Sequence, residues 1–100
     1  MSKDFFTARK ELKEALAKQQ DELAVQEQEL AKHRHSVEFF SKMHSQLTLG
    51  SSETAGDVLD YCVLQETLKV QSVEQKIRSI QKNIRDIKRD LKLRYSLALR

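Results

Sequence analysis

The stretch Val63–Leu91, VLQETLKVQSVEQKIRSIQKNIRDIKRDL, decides how this chain folds. Val63, Val70, Ile77, Ile84 and Leu91 recur every seven residues. Leu59, Val73, Ile80 and Ile87 fill the alternate position of the same repeat, where Glu66 is the exception. Apolar residues spaced three and four apart over successive heptads mark a helix with one apolar seam. A strict seven-residue repeat keeps that seam facing a partner helix only by left-handed supercoiling.

The partner lies upstream in the same chain. Leu16, Leu23, Leu30 and Val37 hold one seam position there, and Phe5, Leu12, Phe40 and Leu47 hold the other. Between the two repeats sits the only cluster of turn-forming residues, Gly50-Ser51-Ser52-Glu53-Thr54-Ala55-Gly56. Gly50 is expected to end helix one, where a left-handed backbone costs glycine least. Thr54 or Asp57 is expected to cap helix two, Thr54-x-x-Asp57 resembling a capping box with aspartate in the acidic place.

The sequence thus predicts an all-α fold: a long antiparallel two-helix coiled-coil hairpin, with two such hairpins free to pair into a four-helix bundle. Helix one covers about residues 2–49, the turn 50–56 and helix two about 57–98, as a single domain. At 1.5 Å per residue each helix runs roughly 60 to 70 Å. A compact 100-residue globule has a radius of gyration of only about 13 Å. Helices of that length do not fit inside one.

Closing the hairpin at its turn pairs residues whose numbers sum to about 103. Phe40 then meets Val63, Leu30 meets Val73, Leu23 meets Ile80, Leu16 meets Ile87 and Leu12 meets Leu91. On the flanks Glu29 falls opposite Lys76 and Arg34 opposite Glu74. Exposed pairs of this kind contribute about 0 to 1 kcal/mol, enough to steer register rather than hold the fold. Arg9 and Arg94 face each other at the open end, which implies fraying or an acidic partner there.

Polar residues interrupt the seam of helix one at Gln19, Gln26 and His33. A two-stranded seam is never fully dry and tolerates glutamine, while polar layers also select register at a cost in stability. His33 and Glu66 fall on adjacent layers. That placement leaves His33 either as an ordinary partly exposed histidine or as a pH-sensitive partner of Glu66.

Composition narrows the function classes. There is no proline, glycine occurs twice and 33% of residues are charged, which suits long helices more than a globule or a disordered tail. No stretch approaches the roughly 20 apolar residues of a membrane span, and the first ten residues hold no apolar run of the signal-peptide kind. The single cysteine, Cys62, has no internal disulfide partner and is expected as a small packed side chain near Met43, in a cytoplasmic setting.

Enzyme signatures are missing. Gly50 and Gly56 share a loop, yet no Gly-Lys-Ser/Thr follows and Asp57 would repel a phosphate. His33 and His35 are two apart, so a helix points them to nearly opposite sides, whereas paired metal ligands on one helix need a spacing of three or four. No cofactor, metal, small-molecule substrate or catalytic residue is expected.

Two surfaces remain. Phe39 and Met43 in helix one, with Tyr61, Leu64 and Leu68 in helix two, are apolar residues off the seam and near the turn. A two-helix hairpin cannot bury them, so they are expected to mediate dimerisation or to receive another protein. Small cores are also marginal alone, which favours self-association.

The second surface is basic. Arg78, Lys82, Arg85, Arg89 and Lys92 are spaced 4, 3, 4, 3 along one face of helix two. Residues 76–100 hold nine basic and two acidic residues, net +7, while residues 51–75 hold one lysine and five acids, net −4. The stripe is either a solvated helix face or a contact for nucleic acid or an acidic protein. No aromatics interleave with it, which argues against single-strand stacking. Beyond it, Leu91, Leu93, Tyr95, Leu97 and Leu99 alternate as in a strand, but nothing breaks the helix before them, so helical continuation is expected.

In outline the chain is similar to small hairpin proteins such as the stalk proteins and chaperones of type III export systems and the tubulin-folding cofactor. That likeness is architectural and carries no motif. The Trp-x-Gly hairpins of type VII secretion share the length and the mid-chain turn. Here Thr48-Leu49-Gly50 has no tryptophan, and the residue four after Tyr95 is Leu99 rather than an acid. No family follows.

Overall fold

The computed structural model describes residues 4–47 and 53–96. Asp4 opens the first helix, α1 (Phe5–Leu47). Its carboxylate Oδ1 accepts a hydrogen bond from the Thr7 backbone N–H at 2.7 Å, and its carbonyl accepts one from the Ala8 N–H at 3.1 Å. The first N–H groups of a helix have no acceptor in a preceding turn, so a carboxylate there satisfies one of them at the positive end of the helix dipole. The hydrogen bond from the Thr7 backbone is the main reason the Asp4 carboxyl lies below its ordinary range. The start expected near Ser2, and the stop expected at Leu49 and Gly50, lie outside the described residues.

The second helix, α2, runs from Glu53 to Asp90, four residues ahead of the start expected at Asp57. Thr54, Gly56 and Asp57 therefore lie within the helix, neither in the turn nor at its cap. Two observations account for this. No described glycine has a positive φ, so Gly56 is not used as a turn residue. Asp57 also sits near the positive end of the helix dipole, where an acidic side chain is stabilising.

Past Asp90 the chain stays helical but widens into a π-helical segment, Leu91–Ser96. Continued α-winding would bring Arg94 onto the seam line, facing Arg9. The wider winding lags behind that path, and Arg94 is exposed while Leu91 remains half-buried. The strand-like alternation of Leu91 and Leu93 is thus overridden by helix. Leu97 and Leu99 lie outside the described residues.

α1 and α2 pack against each other with no strand among the described residues. Cross-helix bonds fix the direction and register: His44 to Asp60, His33 to Glu66 and Gln19 to Asn83. The partner number rises as the α1 number falls, so the helices are antiparallel. These pairs sum to 104, 99 and 102, bracketing the value the heptads imply.

Contacts divide the chain into a turn-proximal unit, Gln26–Lys76, and a terminal unit, Met1–Val25 with Ile77–Arg100. In the turn-proximal unit Leu59 and Val73 are buried, with Leu30, Val37, Phe40, Val63 and Val70 half-buried around them. In the terminal unit Ile77, Ile80 and Ile84 are buried, flanked by half-buried Leu12, Leu16 and Leu23.

Among the described residues every buried one belongs to α2, and α1 has none. The asymmetry follows from the seams. That of α2 is built almost wholly of Val, Ile and Leu, whereas α1 spends three of its seam positions on Gln19, Gln26 and His33. The leucines beside them are covered only in part. In the terminal unit the Asn83 amide donates to Gln19 Oε1 at 3.4 Å, so that polar seam residue meets a polar partner.

Candidate interaction surfaces

Three features of the described residues lie outside the apolar seam contacts: a charged cluster with its groove, the apolar side chains off the seam, and the basic stripe. The cluster lies in the turn-proximal unit. His33 Nδ1 donates to Glu66 Oε2 at 2.7 Å across the seam. A carboxylate only accepts, so this contact requires the proton on Nδ1. The two side chains are 17% and 16% exposed. Lys69 Nζ donates to the other oxygen of Glu66 at 3.2 Å, one turn further along α2. Glu29 Oε2 approaches His33 Nε2 at 3.6 Å from one turn back along α1. Glu29, expected to face Lys76, lines the same groove as Lys76, and its carboxylate also approaches His33 of its own helix.

The hydrogen bond from His33 is the main cause holding the Glu66 carboxyl below its usual range; burial opposes it, and Lys69 reinforces it. Gln26, Glu29, His33, Lys69, Ser72, Val73 and Lys76 line an open groove of about 380 Å³ beside this cluster. The two helices are tied together here by a bond that needs both partners. Among the described residues, no three His, Cys, Asp or Glu side chains are grouped as metal ligands would be.

The apolar residues singled out in the sequence are all exposed. Tyr61, Leu64 and Leu68 are 63%, 54% and 49% exposed on α2. At 100° per residue these three point roughly opposite the seam formed by Leu59, Val63 and Val70. Val58, three residues before Tyr61, is exposed as well and extends the strip by one turn. Its spacing from Tyr61 was the signal that would have found it.

Phe39 and Met43 are exposed on α1, Phe39 with its ring edge-on to that of the seam residue Phe40 at 5.6 Å. They belong to the other helix and face away from its seam. The off-seam apolar surface is therefore a strip on each helix. That of α2 is the longer.

All five residues of the basic stripe, Arg78, Lys82, Arg85, Arg89 and Lys92, are exposed in the terminal unit. The first four are on α2 and Lys92 is on the π-helical segment. Arg89 is partly engaged by Asp86, with Nη2 to Oδ1 at 3.4 Å. Phe6 and Val25 are exposed apolar residues of the same unit that the sequence reading did not single out, and Leu93, noted there only for its alternation, is exposed beside Lys92.

No helix among the described residues is long and apolar enough to cross a membrane. No protein family, curated protein or solved structure matches this chain.

Proposed function

We propose that this chain is a non-enzymatic protein-interaction module, an adaptor, stalk or chaperone-like hairpin of the cytoplasm. It self-associates through the outer strip of α2 near the turn, and the same strip serves to dock another protein. The observation that carries this reading is the contrast along α2. Leu59 and Val73 are buried in the seam, while Tyr61, Leu64 and Leu68, equally apolar, stay about half or more exposed on the opposite face.

A soluble surface tolerates isolated apolar side chains, but Val58, Tyr61, Leu64 and Leu68 recur at helical spacing along one line. Pairing two hairpins through these lines would cover both and give a four-helix arrangement. The chemistry of the His33 cluster supports the non-enzymatic half of the reading. Both imidazole nitrogens face carboxylates, and the N–H groups of a helix interior are spent on the helix itself.

The test is sedimentation of the full chain beside the Leu64→Glu, Leu68→Glu double variant, with circular dichroism on both. The expected result is an associated wild type and a monomeric variant of unchanged helix content. A monomeric wild type that binds nothing from a lysate, or a variant that associates as before, overturns the reading.

A further inference from the structure

We infer that the outer face of α2 in the terminal unit binds the phosphate backbone of duplex nucleic acid without reading its sequence. Arg78, Lys82, Arg85, Arg89 and Lys92 are exposed and spaced so that they share one face, turned away from buried Ile77, Ile80 and Ile84. From Arg78 to Arg89 the face runs about 16 Å along the helix axis.

What lies between the cations decides the partner. Between Arg78 and Arg89 the residues beside them are Ser79, Gln81, Asp86 and Lys88, with no apolar side chain among them; exposed Leu93 lies next to Lys92 at the end of the stripe. A protein partner is held by a core of the interface that is depleted in charge and filled by aromatic or aliphatic anchors. From Arg78 to Arg89 this face offers none, a single leucine at its end makes no interface core, and exposed ion pairs alone contribute little. A phosphate polymer needs no apolar contact, because releasing its condensed counterions drives the association.

The form of the nucleic acid follows from the same side chains. Without aromatics to stack on unpaired bases, the face suits a duplex. The stripe consists only of cations, which seek phosphates, and it carries no amide or carboxylate row to sort base edges. Asp86 draws on Arg89 of the stripe at 3.4 Å. Asp90 lies nearby on α2 and is half-buried.

The test is fluorescence anisotropy of a labelled 20-base-pair DNA duplex titrated with the full chain at several salt concentrations. With about four phosphates neutralised, the affinity should fall on the order of 100-fold between 50 and 200 mM salt. It should be the same for unrelated sequences. Lys82→Ala should lower the slope against log salt by about one. Asp86→Asn should strengthen binding a few-fold by releasing Arg89, a gain that damage to the fold would not produce. Circular dichroism of each variant separates lost contacts from lost helix.

No binding at 50 mM salt, or an unchanged slope in Lys82→Ala, overturns the inference. So does equal or tighter binding of poly-L-glutamate or of phosphatidylserine vesicles, which would assign the face to an acidic protein or to a membrane surface.

Discussion

His33 and Glu66 join α1 to α2 through one 2.7 Å bond, in a seam whose other closures are mainly apolar. Glu66 is the polar exception in its heptad repeat and His33 is one of three in its own, and each is mostly covered. A part-buried polar pair of this kind matters through what happens when it is broken, since either partner left alone keeps its desolvation and loses its bond. It also marks a register. Sliding α2 by one heptad would bring Val73 or Leu59 against His33 and strand the carboxylate.

The Glu66 carboxyl is depressed in the folded chain, chiefly by the hydrogen bond from His33. A carboxyl whose folded value lies below its unfolded one contributes stability above the unfolded value and loses it as pH falls through the folded one. Glu66→Gln should cost about 1.5 to 3 kcal/mol at neutral pH, the range of a hydrogen bond to a charged group. The gap between variant and wild type should close below the ordinary glutamate range. Urea titrations at pH 7 and pH 3 check this; a gap that persists unchanged at pH 3 would place the cost elsewhere.

Replacing both partners should behave differently from replacing one. His33→Leu leaves the Glu66 carboxylate in the seam with only Lys69 to satisfy it, and should destabilise by about 1 to 2 kcal/mol. The double variant His33→Leu, Glu66→Leu carries no unsatisfied polar group. It is expected to be at least as stable as wild type, as for buried polar pairs exchanged for apolar ones. A double-mutant cycle in urea measures the coupling. If the pair fixes register, the double variant should also lose uniqueness, seen as broadened amide resonances.

Gly56 offers a prediction whose sign depends on the start of α2. It lies in the first turn of that helix without a positive φ, and a Cβ built there would come no closer than 3.9 Å to His44 Nε2. That is ordinary van der Waals contact, so Gly56→Ala should stabilise the chain by about 0.5 to 1 kcal/mol through helix propensity and a less flexible unfolded state. Were Gly56 a left-handed turn residue, the same change would destabilise. A thermal melt decides between the two signs.

The heptads made the hairpin legible because one period serves both local helix and tertiary pairing. The bonds at His44, His33 and Gln19 fall within four residues of the register the seams imply. The start of α2 was less legible for a physical reason. Thr54, Gly56 and Asp57 suit a turn and suit a helix N-terminus equally well, and the backbone, helical from Glu53 with no positive φ at Gly56, shows which use prevails. At Leu91 two periods overlap, and the π-helical winding belongs to neither. The off-seam residues were identifiable singly, but dividing them into a strip on each helix required the faces themselves.

The last prediction separates the seam from the outer strip. Ile80 is buried in the terminal unit, and Leu68 is about half exposed in the turn-proximal unit. Ile80→Ala removes covered methyl groups and leaves a void between two helices, so it should cost about 2 kcal/mol or more at every protein concentration. Leu68→Ala removes little that the hairpin itself covers. Its cost should be within about 0.5 kcal/mol in dilute solution. If two hairpins pair through this strip, association adds stability in proportion to the logarithm of concentration. The melting temperature of the wild type should then rise with protein concentration, and that of Leu68→Ala should rise less. Two melting curves per variant, taken a hundredfold apart in concentration, carry the decision. Equal slopes for both chains would mean that the strip takes no part in holding copies together.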